Sequence, residues 1–246
     1  MPRDEPVLRL SDVHRSLGRG RSRTPVLRGV DLTARAGAVT VLLGPNGAGK
    51  STTLGLCHGM DRPDAGTVRV FGADPWRASA DLRARIARLY EQRHGVEVDP
   101  DRILLTCGAS PALVLALSTR FRPGDRIALA RPGYVAYRNT LRALHMQPVE
   151  VACGPETRFQ LTAAQLAALD PAPAGVIIAS PANPTGTIIP DAELAAIAEV
   201  CRARGVAIVS DEIYHGLSYV GPTASMLQFA PDAFVINSFS KYWSMA

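Results

Sequence analysis

Lysine is nearly missing from this sequence: of its 27 Lys+Arg, only Lys50 and Lys241 are lysines. A lysine kept in an arginine background marks a position that needs a compact ammonium or an amine able to lose its proton. Guanidinium supplies neither. Cysteine is scarce as well. Cys57, Cys107, Cys153 and Cys201 lie 46 to 50 residues apart, which excludes a CxxC pair, a zinc pattern and a dense disulfide framework. The surroundings of Cys57, Cys107 and Cys201 are apolar and predict buried thiols, whereas Cys153 falls in a predicted loop. No run of about 18 apolar residues is present. Met1-Pro2-Arg3-Asp4-Glu5 has no apolar signal-peptide core. The expectation is a cytoplasmic protein with no membrane segment of its own.

The net charge of +5 is unevenly placed. Residues 1–86 hold 14 Lys+Arg against 8 Asp+Glu, and residues 87–246 hold 13 against 14. Arg15, Arg19, Arg21 and Arg23 contribute to the excess from a glycine-containing stretch. No aromatic residues interleave them, so the stretch reads as a solvated basic loop and no nucleic-acid partner is expected. The apolar content of 47% and charged content of 20% are those of an ordinary globular protein.

In residues 1–86, Val7–Leu10 and Val26–Leu32 alternate as short strands do. Ala38–Leu43 is a continuous apolar run, predicted as a strand covered on both faces. It leads into Gly44-Pro45-Asn46-Gly47-Ala48-Gly49-Lys50-Ser51-Thr52, followed by helix formers Thr53 to Met60. Strand, glycine-rich loop with Gly-Lys-Ser, then helix is the context of a phosphate-binding loop. The glycines turn backbone N–H groups around a phosphate, and the helix N-terminus adds its dipole. The nucleotide-binding candidates are therefore Gly44, Asn46, Gly47, Gly49, Lys50, Ser51 and Thr52. Lys50 would reach the β/γ-phosphates, and Ser51 would ligate magnesium carried by ATP. Val26–Pro75 resembles the ATP-binding subunit of an ABC transporter. That resemblance implies ATP and magnesium as ligands and a transporter membrane subunit as partner. No LSGGQ-like signature occurs in the sequence. Val206–Glu212, an apolar strand ending in Asp-Glu, has the outline of a Walker B motif, but Ser210 interrupts its apolar run.

Ala78–Arg93 has a helical pattern. Strands are predicted at Ile103–Cys107, Arg126–Ala130, Val149–Ala152, Val176–Ala179, Val206–Ser210 and Phe234–Asn237. Helices are predicted at Ser110–Arg120, Tyr134–Leu144, Thr162–Leu169 and Asp191–Arg204. Repeated βα units argue for an α/β fold with a mostly parallel sheet flanked by helices, preceded here by a partial P-loop NTPase α/β segment. In such sheets ligands sit at the C-terminal strand ends, where Gly108, Asn183, Asp211 and Ser238 fall.

The pieces GASPALVLAL, RPGDRIALARPGYVAY, SPANPTGTII, VAIVSDEIYHGLSY and VINSFSKYWSMA stand in order here. Together they resemble the large domain of a class I/II aminotransferase, a fold-type-I pyridoxal-phosphate enzyme. The resemblance implies amino-group transfer from an amino acid to a 2-oxo acid through a Lys241 Schiff base, with Lys241 also moving the substrate Cα proton. It further implies Asp211 on the pyridine nitrogen, Asn183 and Tyr214 on the ring's phenolic oxygen, and Tyr134 stacked on the ring. The phosphate would sit on the N–H groups of Ala109 and Ser110, helped by Ser238 and Ser240. His215, with no partner at metal spacing, reads as structural. A homodimer is implied as well.

Both resemblances are partial. The aminotransferase pattern implies an earlier segment reaching across a dimer, and a later small domain with the arginine that grips the substrate carboxylate. The expectation is thus a hybrid. Residues 1–86 form a partial ATP-binding segment, and residues 87–246 an aminotransferase large domain stopped before its small domain, with low activity. The enzyme reading ranks first, and the ATP-binding transporter subunit is its alternative.

Overall fold

The computed structural model describes residues 6–18 and 23–245. Arg19 and Arg21 of the predicted basic loop, and the Met1–Glu5 start, lie outside them. Two compact units are present: Met1–Glu91 with Glu97–Leu105, and Gln92–Val96 with Thr106–Ala246.

In the first unit, β1 (Pro6–Leu17), β2 (Thr24–Arg35) and β3 (Ala65–Val70) form an antiparallel sheet in the order β2-β1-β3. A break in register between Leu10 and Val13 offsets the alternation of β1, and both join Leu27 and Val68 in one core cluster with Leu56 of α1 (Lys50–Cys57). Arg15 is a strand residue, not part of a solvated loop. It pairs with Asp61 at 2.6 Å and Asp64 at 3.0 Å, and Arg23 also reaches Asp64.

The predicted strand Ala38–Leu43 is not formed. Val39, Val41 and Leu43 are 93%, 68% and 84% exposed. An apolar run becomes a strand only when a neighbouring strand offers its N–H and C=O groups. Among the described residues the sheet of this unit holds β1, β2 and β3, all antiparallel, so no parallel strand there feeds the glycine-rich loop. The residue run is right for a covered strand, but its cover is missing among the described residues. α2 (Pro75–His94) follows β3.

The second unit holds five parallel strands: β4 (Arg126–Arg131), β5 (Gln147–Ala152), β6 (Gly175–Ala179), β7 (Ala207–Asp211) and β8 (Phe234–Ile236). Their order is β5-β4-β6-β7-β8. Successive side chains serve opposite faces. Ala128, Val176, Ile178 and Ile208 meet Leu166 of α5 (Ala163–Ala167) and Leu194, Ile197 and Cys201 of α6 (Asp191–Arg204). Ile127, Leu129, Ile177, Val209 and Ile236 meet Leu113 and Leu117 of α3 (Ala109–Arg120) and Leu141 of α4 (Val135–Ala143). A sheet covered on both faces explains why its strands read as unbroken apolar runs.

Ile103–Cys107, predicted as a strand, is irregular chain after a short turn at Pro100–Arg102. Leu104 there is 60% exposed. A five-residue apolar run does not reveal whether a sheet edge lies within reach. Cys107 is exposed and Cys57 half-buried, against the expectation of buried thiols, while Cys201 and the loop residue Cys153 are buried. Cys153 sits under α5 because its backbone N–H continues the ladder to Arg131 O at 2.9 Å. Among the described residues no helix is long and apolar enough to cross a membrane.

Candidate active site

The chain runs from β4 outward to β5, then back past β4 to β6. The switch point therefore lies between β4 and β6, where ligands of open parallel sheets bind. Register places Asp211 opposite Ala179 on one side and Ile236 on the other. The turns after β4, β6, β7 and β8 therefore leave the sheet along one edge.

Asp211 ends β7 and is 8% exposed. Its Oδ1 accepts the Ile213 N–H at 3.1 Å, and its Oδ2 accepts a hydrogen bond from the Tyr137 hydroxyl. Among the described residues no cationic side chain pairs with it. Burial accordingly pushes its carboxyl above the usual range, against the pull of the two hydrogen bonds. Tyr137 is the residue that sequence reading missed. Burial foremost, with the Asp211 charge second, raises its hydroxyl pKa far above the ordinary value. The available signal was spacing: Tyr137 stands three residues after Tyr134, about one helical turn on. The two rings meet edge to face at 5.4 Å. Tyr134 itself precedes α4 and is 39% exposed, with its ring against the Tyr137 that holds Asp211.

Asn183 follows β6, and its amide nitrogen lies 3.5 Å from the Tyr214 hydroxyl. Tyr214 belongs to the turn after β7. The Lys241 ammonium lies 5.8 Å from the centroid of the Tyr214 ring. The turn carrying Lys241 is held on both sides. Ser238 and Ser240 share a hydrogen bond of 2.7 Å between their hydroxyls, and the Ser240 N–H reaches Ser238 Oγ at 3.1 Å. The Tyr242 ring lies on Gly216, where any Cβ would meet it at 2.6 Å. Arg93 stands over Tyr242 and Trp243 at 5.0 and 5.3 Å.

Ala109 and Ser110 form the first turn of α3, whose opening N–H groups have no intrahelical partner. A Cβ at the preceding Gly108 would meet nothing within 4 Å, so the space before this helix is open. α3 packs against β8, the strand that leads to Ser238.

The donor set suits pyridoxal phosphate. A buried carboxylate without a cation matches a ring N–H. The Asn183–Tyr214 pair matches a phenolic oxygen, a helix N-terminus with serine hydroxyls matches a phosphate, and the amine of Lys241 matches an aldehyde. The structure thus groups Lys241, Tyr214 and Asn183 by direct approach, and Asp211 with Tyr137 and Tyr134. Ala109 and Ser110 open α3, and Ser238 and Ser240 follow β8, the strand on which α3 packs.

The glycine-rich loop belongs to the first unit. Gly49 adopts φ 83° before α1, and a Cβ there would strike Leu27 at 2.6 Å. Lys50 donates to the carbonyls of Gly44 and Pro45 at 2.7 and 2.8 Å. Gly44, Asn46, Gly47 and Ser51 are exposed, and Thr52 is half-buried.

The family model for aminotransferase class I and II matches residues 64–246, opening ahead of the 86/87 boundary read from the sequence. A valine–pyruvate aminotransferase of Mycobacterium tuberculosis is 53% identical over 167 residues, 67% of this chain and 43% of that protein. An aspartate aminotransferase of Geobacillus stearothermophilus is 35% identical over 170 residues, 67% of this chain and 43% of that protein. The crystal structure of an aminotransferase from Mycobacterium tuberculosis superposes with a TM-score of 0.66 at 52% identity, covering 68% of this chain and 43% of that one. The chain spans less than half the length of these relatives.

Proposed function

Since the chain belongs to the class I and II aminotransferase family, we propose that it is built for pyridoxal-phosphate-dependent amino-group transfer between an amino acid and a 2-oxo acid. The carrying observation is the buried Asp211 at the end of β7, with no cationic partner among the described residues, on the strand that leads to Tyr214, whose hydroxyl lies 3.5 Å from the Asn183 amide nitrogen and whose ring centroid lies 5.8 Å from Lys241 Nζ. When bound, pyridoxal phosphate supplies a protonated ring that accepts the electron pair left by the substrate Cα proton. Asp211, fixed by Tyr137, would hold the proton on the ring nitrogen. Asn183 and Tyr214 would donate to the ring oxygen, and Tyr134 would cover one ring face. The first-turn N–H groups of Ala109 and Ser110, with Ser238 and Ser240, would hold the phosphate. Lys241 Nζ would anchor the cofactor and move the substrate proton.

The name carried by the 53%-identical relative makes valine and pyruvate the first substrate pair to assay. A homodimer is proposed with this reading; sedimentation of the purified chain tests it. Pyridoxal phosphate added to the full chain should produce a visible absorbance band that is lost in Lys241→Ala. Absence of the band from the unaltered chain overturns the reading.

A nucleotide-binding role for Gly44–Thr52, in a segment fused ahead of the aminotransferase part, is a second proposal. It rests on Gly49, whose left-handed φ of 83° favours glycine. The lysine that should meet phosphate is engaged with two loop carbonyls instead. The family match and the relatives lend nothing to ATP, magnesium or a transporter partner. Equilibrium dialysis with ATP and magnesium decides it, and no retention sinks it.

A further inference from the structure

Glu212 follows Asp211 and is 1% exposed. Its Oε1 accepts three hydrogen bonds, from Ser210 Oγ at 3.1 Å, Ser225 Oγ at 3.1 Å and the Met226 N–H at 2.8 Å. Its Oε2 faces Nδ1 of the buried His215 at 3.5 Å. Among the described residues neither of these two buried atoms has any other polar partner. The second ring nitrogen, Nε2, lies 3.0 Å from the Ser180 carbonyl oxygen. A carbonyl only accepts, so Nε2 carries a hydrogen.

Two arrangements satisfy the facing atoms: a carboxylic acid donating to a bare Nδ1, or a carboxylate beside an imidazolium. Each places one proton between Oε2 and Nδ1. Burial of both groups favours the uncharged arrangement, because two charges held out of water lose more hydration than a slack 3.5 Å contact returns. The surroundings push the same way. Burial first, then the nearby Asp211 carboxylate, lift Glu212 to about 7 in spite of its hydrogen bonds. Burial first, then His94 with its ring 5.6 Å away and Arg93 beside it, bring His215 down to about 4.

We propose that Glu212 keeps its proton and donates a hydrogen bond from Oε2–H to the bare His215 Nδ1, and that this neutral pair is a positioning device tying the end of β7 to the Ser180 carbonyl and so to the turn presenting Asn183. The consequence is geometric. Tyr214 immediately precedes His215, and Asn183 stands three residues after Ser180. The pair therefore fixes the two sides of the 3.5 Å Asn183–Tyr214 contact relative to each other. Its bearing on catalysis rests on the reading of Asn183 and Tyr214 as cofactor contacts.

Two measurements on the full chain test it. In ¹⁵N NMR of histidine at pH 7, His215 should show a protonated Nε2 and a bare, hydrogen-bonded Nδ1. A ring protonated on both nitrogens overturns the proposal. Glu212→Gln offers an amide that can donate to Nδ1 while its carbonyl still accepts at the Oε1 position. It should keep pyridoxal-phosphate affinity within about twofold. His215→Phe fills the space without either nitrogen and should weaken that affinity about tenfold. A Gln variant as weak as the Phe variant, or a Phe variant as tight as the unaltered chain, overturns the positioning role. Should His215→Phe fail to fold, the NMR signature and the Gln variant still decide. If the unaltered chain binds no pyridoxal phosphate, the pair's role toward the cofactor falls, and the NMR separately decides where the proton lies.

Discussion

The Tyr137 hydroxyl, on α4, donates to the Asp211 carboxylate at the end of β7, 74 residues further along the chain. Both are buried, and Asp211 carries no cationic partner among the described residues. This bond is what makes a carboxylate tolerable inside the sheet edge before any ligand arrives. Tyr137→Phe should therefore cost about 1–3 kcal/mol in urea unfolding at pH 7, the penalty for stripping a buried charged acceptor of one donor. The sign with pH follows from linkage. Burial raises Asp211 above its unfolded value of 3.8, so folding is opposed increasingly as pH rises through the folded pKa. Loss of Tyr137 raises that pKa further, so the deficit should be largest at neutral pH and shrink near pH 3 to that of a neutral hydrogen bond. A deficit independent of pH would refute the assignment.

Arg204, in the last turn of α6, reaches across to the end of α5. It donates to Leu166 O and Ala167 O at 2.8 Å and to Leu169 O at 2.6 Å. α5 is only five residues long, too short to hold itself, and Arg204 adds donors at its end, where Leu166 O otherwise accepts a long 3.3 Å bond from the Leu169 N–H. Arg204→Met should cost about 1–3 kcal/mol, and Arg204→Lys should recover only part of it, because an ammonium cannot span three carbonyls as the planar fork does. Equal stability of the Lys variant and the unaltered chain would count against this role.

The sequence carried the second unit well because local and long-range demands agree there. α6 begins with Asp191 and Glu193, ends with Arg202 and Arg204, and stops at Gly205 in the left-handed region, and its predicted bounds match the observed helix. Val176–Ala179 and Ile208–Val209 are apolar on both faces because both faces are covered. Ala38–Leu43 and Ile103–Cys107 carry the same local signal without a neighbour to pair with, and pairing is not written in the run itself. At the site, residues on sharp turns after strands were legible. The partners that orient them were not, since Tyr137, Glu212 and His215 act through bonds to Asp211, Ser225 and Ser180 whose spacing only the fold creates.

The cysteines should separate by reactivity. Cys107 is exposed, Cys57 half-buried with its thiol raised by burial, and Cys153 and Cys201 are buried. Burial raises the Cys153 thiol and lifts that of Cys201 to about 12. Since the thiolate is the reacting species, a thiol reagent at pH 8 should label Cys107 at once, Cys57 slowly, and the other two only in denaturant. Mass spectrometry of timed digests reads the order. Early labelling of Cys201 would contradict the packing of α6 on the sheet.

The unpaired apolar run Val39, Val41 and Leu43 leaves its side chains in water, and unpaired extended chain of this kind templates association. Val41→Asp with Leu43→Asp should raise the concentration at which the protein begins to scatter light. Substitutions at such exposed positions usually change stability by no more than about 0.5 kcal/mol, so Tm should stay put. A large fall in Tm would mean that the run is buried in solution.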